Sequence, residues 1–486
     1  MAGYPGFVGG SNVSQSSIAD DERTVNFYVE PIEGTGTAKA ALYPTPGVLT
    51  VDYASGGVGR AHIFASEREF VIIGATLYEV SEILTPSVSG PASSQLTSRG
   101  SVTGDINPAT ISSNGDAGDQ LFITSGTNGY VFDLTTNILS AVAFLAGKAT
   151  MGAFLDGYFL CLDKATSTLY ISDLLDGSTW DPTQFVTRVG SPDPWVSMIV
   201  NQYIYLLGSK TSEVWFDSGA FPIPFELHPS GRIPYGCGAT FSPEVVGTSV
   251  VWIGQTVNGN GALYRTPGFS IEAISDFATQ YALRDLNLSD AIGDSYEDLG
   301  HTFYILTFPG SEATWVWDAT TNVWSERGTW NESSNEFEAW RPCFHALAYG
   351  KHRMLDLKGP RVYDMSAAYG YDVEGRGLRR IRRPPTLMNE NKRVFFSRIE
   401  LFLEPGLGLT SGQGSNPMIS MRWSNDGGKT WGPYIFRSAG ALGNYSKRVE
   451  WLRLGSGRKR TFEFVVSDPV PWRLMGAFLD MRAGMN

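Results

Sequence analysis

"FVIIGATLYEV", residues 70–80, reads as two short strands around a Gly-Ala turn, with four apolar residues running without a polar break. A strand that is apolar at every position is expected where both of its faces are covered, so this hairpin requires neighbours on either side. The same pattern returns along the chain. It recurs in "LFITSGTNGYVFD" (121–133), "YFLCLDKATSTLYIS" (158–172), "YIYLLGSKTSEVWFD" (203–217), "VVWIGQTVNGNGALYR" (250–265), "FYILTFPGSEATWVWD" (303–318) and "MLDLKGPRVYD" (354–364). The closing residues Asp133, Ser172, Asp217, Arg265, Asp318 and Asp364 lie 39, 45, 48, 53 and 46 residues apart.

A period of about 40–50 residues is that of a β-propeller, one four-stranded blade per repeat. Small antiparallel sheets cannot bury both faces alone, and a radial arrangement lets each blade cover its neighbours. The spacing predicts an all-β fold with a propeller of six or seven blades over residues 61–370; unrelated hairpins in β-sandwiches are the alternative. Residues 1–60 hold "ERTVNFYVEP" (22–31) and "LYPTPGVLTVDY" (42–53), strand-like pieces suited to supplying the outer strand that closes the ring.

Composition agrees. Among 486 residues, 55 glycines and 13% aromatics fit many short strands joined by tight turns. Cys161, Cys237 and Cys343 stand far apart without C-x-x-C spacing, which suits buried thiols in a reducing compartment. Five histidines show no zinc-ligand spacing, so no metal or other cofactor is expected. The N-terminus has neither the basic nor the apolar region of a signal peptide, and no stretch approaches the roughly 20 apolar residues of a membrane span.

Charge divides the chain. Residues 1–370 hold 18 Lys and Arg against 39 Asp and Glu, a net −21, whereas residues 371–486 hold 19 against 10, a net +9. The sign changes at "YDVEGRGLRRIRRPPTLMNENKR" (371–393), which reads as a basic, Pro-containing connector. Beyond it, 394–486 carries five or six short alternating runs and predicts a small β-sandwich or barrel-like domain.

Two motifs stand out. "SNDGGKTW" (424–431) places Ser424, Asp426, Gly427, Gly428 and Trp431 between two strands and resembles the Asp-box of sialidase propellers. Asp426 can accept backbone N–H bonds, the glycines permit positive φ and Trp431 packs under the hairpin. The motif reads as scaffold, since in sialidases this box lies away from the active site; "DGSTW" (176–180) is a partial echo. The second motif is Arg376, Arg379, Arg380, Arg382 and Arg383, five guanidinium groups in eight residues. It reads as a solvated connector or as a docking site for an acidic neighbour, the −21 region of an adjacent copy included; direct nucleic-acid binding is a third reading, opposed by the lack of interleaved aromatics and by the acidic chain. Catalytic signatures are lacking: no G-x-S-x-G, no Walker loop and no H-E-x-x-H occurs, and "NGNG" (258–261) sits in a hairpin turn. The chain therefore reads as a non-enzyme, with a sialidase-like or glycan-binding propeller as the alternative.

The succession of motifs resembles a known family. The run 423–481, "RTVNFYVEP" with "TPGV", and "YISDLLDGSTWDP" followed by "IYLLGSKTSEVWFDSG" are similar to the packaged-DNA stabilisation, or tail hub and nozzle, proteins of short-tailed phages. That resemblance implies a homo-hexameric ring beneath the portal and its adaptor (the head-to-tail connector). The ring would extend the DNA channel, help retain the packaged genome and offer docking surface to tail fibres or tailspikes. Double-stranded DNA would pass through the lumen without sequence-specific binding, and residues 1–60 could also contact the adaptor. The resemblance further implies a virion tail location after synthesis in the bacterial host cytoplasm, no membrane insertion, and no catalytic residues to carry over.

Overall fold

Around Gly74 the quoted hairpin pairs Arg68–Ile73 with Thr76–Val80, Ile73 opposite Thr76. Gly74 takes φ +59°, and a Cβ there would meet the Gly57 Cα at 3.2 Å. Side chains alternate between two cores. Phe70 and Ile72 join Leu121, Ile123 and Phe132, while Val71 and Ile73 join Val51, Leu355 and Val362. The strand is apolar throughout because neither face meets water.

The structure is a computed structural model that describes residues 1–19, 21–34, 38–82, 95–255 and 261–484; most of the NGNG turn lies outside the described residues. Each repeat forms a four-stranded antiparallel sheet. Blades 1 to 6 occupy residues 59–101, 110–141, 151–187, 195–233, 244–273 and 292–327. A seventh contains Pro342–Ala348, Lys351–Asp356 and Arg361–Ser366, and its outermost strand is Gly47–Tyr53, delivered from the other end of the chain. Six of these sheets stand alone, while blade 6 runs on into a larger sheet. The first strands of successive blades adjoin in a closed circle.

Seven apolar clusters fill the seven joints between blades. Phe70 meets Phe132 at 5.3 Å in the joint of blades 1 and 2, and Phe122 meets Trp180 at 5.3 Å in the next. Each fully buried side chain of this size contributes roughly 1.5–3 kcal/mol relative to exposure. Among the described residues the only α-helix is Phe277–Leu283, capped by Asp276, whose carboxylate accepts from the Thr279 N–H at 2.7 Å.

The second domain is a β-sandwich. One sheet runs in the order Phe27–Pro31, Ala40–Pro44, Leu474–Ala483, Val394–Leu403 and Val449–Leu452, with Ala2–Gly3 on the edge of Leu474–Ala483. The other continues from the outer strand of blade 6, Val323–Arg327, through Arg23–Val25, Arg380–Arg383, Lys459–Val466 and Met418–Ser424 to Ile435–Ser438. Between them lie Phe396, Ile399, Ile419, Met421, Trp451, Phe462 and Phe464, together with Tyr4, Phe7, Phe27 and Leu42.

Two features differ from the linear reading. The N-terminal region serves both domains, closing the ring with Gly47–Tyr53 and completing the sandwich with its earlier strands. The segment 371–393, expected as a connector, contains the internal strand Arg380–Arg383. Its arginines conceal the strand, because a run of guanidinium groups carries no apolar signal.

Candidate functional site

The turn 424–431 is built as its composition dictates. The Ser424 hydroxyl donates to Asp426 Oδ1 at 2.6 Å, and that oxygen also accepts the backbone N–H groups of Lys429 (3.0 Å) and Thr430 (2.9 Å). The Thr430 hydroxyl donates to Oδ2 at 2.5 Å. These bonds, the Ser424 hydroxyl first among them, hold the Asp426 carboxyl well below the usual carboxylate range. Gly427 and Gly428 take φ +78° and +88°, positions a side chain would strain. The echo at 176–180 repeats the device: Asp176 accepts from Ser178 and Thr179, and the Trp180 indole donates to the Gly177 carbonyl.

Trp431 leads from this turn to the arginine cluster. The guanidinium carbons of Arg383 and Arg422 lie 4.9 and 4.7 Å from its ring centre. Both arginines grip Glu463, whose side chain is fully buried: Arg383 Nη2 donates to Oε2 at 2.7 Å and Arg422 Nε to Oε1 at 2.7 Å. Burial alone would raise the Glu463 carboxyl, but the two guanidinium groups outweigh it and hold it below the ordinary range. Tyr434 donates its hydroxyl to the same carboxylate at 3.1 Å.

The other arginines diverge. Arg379 stacks 4.0 Å over Trp330, which belongs to the hairpin Thr329–Asn331 and Glu336–Glu338 between blades 6 and 7. Arg380 is buried, donates to the Leu378 carbonyl at 3.0 Å and is pushed down to about 9 by that burial, against the pull of Asp372. Arg382 is buried completely and binds the N-terminal segment. Only Arg376 is well exposed, and it pairs with Glu374 at 2.8 Å. A buried guanidinium cannot meet a partner, so the cluster presents far less surface than its count suggests. It clasps propeller to sandwich.

A second polar assembly lies where the ring closes. His62 of blade 1 faces the Glu69 carboxylate at 3.0 Å and the Phe344 carbonyl of blade 7 at 2.9 Å. Asp294 of blade 6 accepts the His345 backbone N–H at 3.0 Å, and its carboxyl is pushed up to about 7 by burial. The His345 imidazole, facing His352 at 2.9 Å, is pushed down to about 3, again by burial first. None of these residues stood out in sequence; the one signal was a charge inside an otherwise apolar strand, as at Glu69 in "REFVII" and Glu463 in "RTFEFVV". At one mouth of the propeller axis a cavity of about 550 Å³ is lined by Asp105, Thr124, Lys164, Thr240 and Asp290. Among the described residues no group of three or more His, Cys, Asp or Glu side chains is placed to hold a metal ion. The propeller arginines a sialidase would need are engaged locally: Arg60 with backbone carbonyls and Asp105, Arg188 with Asp193, and Arg284 with Asp285.

Family models place this two-part architecture. Residues 9–369 match the family model described as "Bacteriophage P22 Gp10, beta-propeller", and residues 379–482 match "Bacteriophage P22 Gp10, beta-sandwich". The chain belongs to the bacteriophage P22 Gp10 family. In this Gp10 relative the residues that separate the two matched regions lead directly into the strand bearing Arg380, Arg382 and Arg383, so the clasp sits at the junction of the family's two domains. The family is one of phage structural proteins, and packaged-DNA stabilisation is its name's own theme. No curated protein matches the chain.

Solved structures similar to it include the N-terminal domain of Nup159, at 11% identity and TM-score 0.41, covering 74% of this chain and 99% of that one. The WD40 domain of Toxoplasma gondii coronin gives 8% and 0.39, covering 73% and 87%. YCF48 from Cyanidioschyzon merolae gives 11% and 0.40, covering 66% and 98%.

One pH effect follows from the join between domains. His301, which opens the second strand of blade 6, donates through Nδ1 to Asp318 at 2.7 Å and through Nε2 to Glu30 of the sandwich at 2.9 Å. Burial opposes protonation, but the two carboxylates prevail and raise the imidazole. A raised folded pKa means the stabilisation is complete below the unfolded value near 6.5 and is lost as pH rises through the folded one. The melting-temperature gap between wild type and His301→Gln is therefore expected to be widest at pH 6 and to narrow by pH 9. Thermal melts across that range check it; a gap that widens with pH contradicts it.

Proposed function

We propose that the chain is a wall-forming component of a phage tail: copies form a homo-hexameric ring beneath the portal and its adaptor, extend the DNA channel, help retain the genome and carry fibres or tailspikes. The observation that carries this reading is the family match across both domains, 9–369 and 379–482. The structure suits the role. The propeller is closed by a strand from the far end of the chain and joined to the sandwich by a continuous sheet, which makes one stiff unit.

Duplex DNA would run between subunits, not through one propeller. The first strands of all seven blades adjoin one another around the axis, whereas the major groove of B-DNA alone is about 12 Å wide. The net −21 of residues 1–370 repels phosphates, which favours passage without sticking. The role is non-enzymatic, and the place of action is the virion tail, after synthesis in the host cytoplasm. Particles assembled without this chain test the proposal: they are expected to package DNA and then lose it, with retention restored by adding the purified protein. Particles that keep their genome without it would contradict the reading.

A further inference from the structure

The arginine cluster at 376–383 is mostly internal, so the +9 of the C-terminal region must reach solvent elsewhere. It does so at one end of the sandwich. Val394 and Phe395 pair with both Ala483 and Arg482 and with Gly457 and Ser456; Met388 pairs with Lys459; and the Arg453 N–H bonds to the Ser397 carbonyl. These pairings bring four turns together, near residues 389–393, 425–429, 453–459 and 482–484. Arg393, Lys429, Arg453, Arg458 and Arg482 are exposed there and Lys459 is half-exposed, and none of the six makes an ion pair with a described residue of its own chain. By contrast, Arg398, Arg448 and Arg473 on the flanks of the same domain are matched to Glu450, Glu400 and Glu404. The tip gathers six such cations, and Arg437 and Lys447 are the other exposed cations of the C-terminal region without an ion pair to a described residue.

The propeller holds the counterpart. In an antiparallel blade the turn between the first and second strands and the turn between the third and fourth emerge on the same face. On that face Glu67, Asp116, Asp119, Asp156 and Glu297 are exposed, from blades 1, 2, 3 and 6. The turns are contiguous: the Ser66 hydroxyl reaches Asp116 at 3.1 Å, Gln120 reaches Asp176 at 3.3 Å, and the Leu175 N–H bonds to Gly157 at 2.7 Å. Among the described residues the Lys and Arg side chains in or beside these turns are Arg68 and Arg99, both ion-paired with Glu79, Arg265, ion-paired with Glu272, and Lys351. The opposite face is mixed, with Lys164, Lys210, Lys358 and Arg361 among its acids.

We propose that the basic tip of the sandwich docks on the acidic turn face of the propeller of a second copy, making the head-to-tail contact of the assembly. This rests on the ring reading above. The tip is a convex set of short turns with long cationic side chains. The chain itself supplies an anionic surface of matching character at equal abundance, which favours a second copy over other polyanions. The contact joins two different patches, so it repeats from copy to copy and closes where the rotation allows. It also fixes which surfaces meet and repels tip from tip.

Sedimentation velocity on the purified full chain tests this. Wild type is expected to assemble, and to fall apart between about 0.1 M and about 1 M salt, where the screening length drops from about 10 Å to about 3 Å. Arg453→Glu/Arg458→Glu/Lys459→Glu, all at exposed or half-exposed positions, is expected to fold and melt as wild type yet associate roughly tenfold more weakly or worse. Glu67→Lys/Asp156→Lys/Glu297→Lys is expected to do the same, and one chain carrying both sets to recover assembly. Wild-type assembly by either folded triple variant, or no recovery in the combined one, overturns the contact while leaving the ring intact. A wild type monomeric at every salt and concentration overturns the ring reading itself. Loss of duplex-DNA binding by the tip variant with assembly unchanged would make the tip a phosphate site and overturn the contact.

Discussion

A chain beginning at residue 54 is expected not to fold. Gly47–Tyr53 is the outermost strand of blade 7, paired along its length from Gly47 opposite Ser366 to Tyr53 opposite Arg361. Its loss uncovers Val362 and Leu355, removes Val48 and Val51 from two cores and takes away the buried Leu49. The same truncation takes Tyr4, Phe7, Phe27 and Leu42 out of the sandwich. At roughly 1.5–3 kcal/mol for each of these seven side chains, the loss is about 10–20 kcal/mol. That matches or exceeds the 5–15 kcal/mol or so by which native domains are stable. The expected result is insoluble or protease-labile product without a cooperative melt, whereas removing residues 1–3, of which Ala2 and Gly3 are exposed edge residues, changes little. A soluble truncated chain melting near the wild-type temperature would mean the ring does not need its closing strand.

The second large effect is expected from Arg382→Met. Arg382 is wholly buried and donates in every direction: Nε to the Phe7 carbonyl at 2.6 Å, Nη1 to the Gly10 carbonyl at 2.9 Å and the Thr24 hydroxyl at 2.8 Å, and Nη2 to the Gly6 carbonyl and Glu22 at 2.5 Å each. The glycines of "GYPGFVGG" (3–10) let the backbone wrap this group, and a Cβ on Gly10 would come 2.2 Å from the Trp324 carbonyl oxygen. Methionine fills much of the volume but takes the Arg382 donors away from the Glu22 carboxylate and from the carbonyls of Gly6, Phe7 and Gly10. Breaking one side of a buried pair costs about 3–5 kcal/mol, and lysine cannot restore the fork of donors. Arg376→Ala, at the exposed end of the same cluster, is expected to stay within about 0.5 kcal/mol. Denaturant melts of the two variants side by side check the contrast. Equal effects would mean the five arginines are a uniform surface band.

That contrast shows what sequence could and could not convey. The hairpin at 70–80 and its repeats reveal the propeller because period-2 burial on both faces writes an unbroken apolar run, as Phe70 to Ile73 do. The turn at 424–431 is legible because its hydrogen bonds are local, from Ser424 to Thr430. The clasp is hidden, since Arg383, Arg422 and Glu463 come together only after strands distant in sequence pair. Net charge likewise marks the domain boundary but not which cations are spent internally. Arg382 and Arg458 look alike in a count, yet one is entombed and the other reaches solvent. The closing strand was visible as a strand, but its second duty, carrying the sandwich edge at Phe27–Pro31 and Ala40–Pro44, needs the fold.

The central claim is that this chain is a wall of the tail, and a density reconstruction of the purified protein bound to portal–adaptor rings tests it most directly. The account predicts a closed ring of six copies, with the DNA path running between subunits and each propeller axis plugged. Isolated molecules scattered without order on the adaptor, or duplex density threading a single propeller, would contradict it.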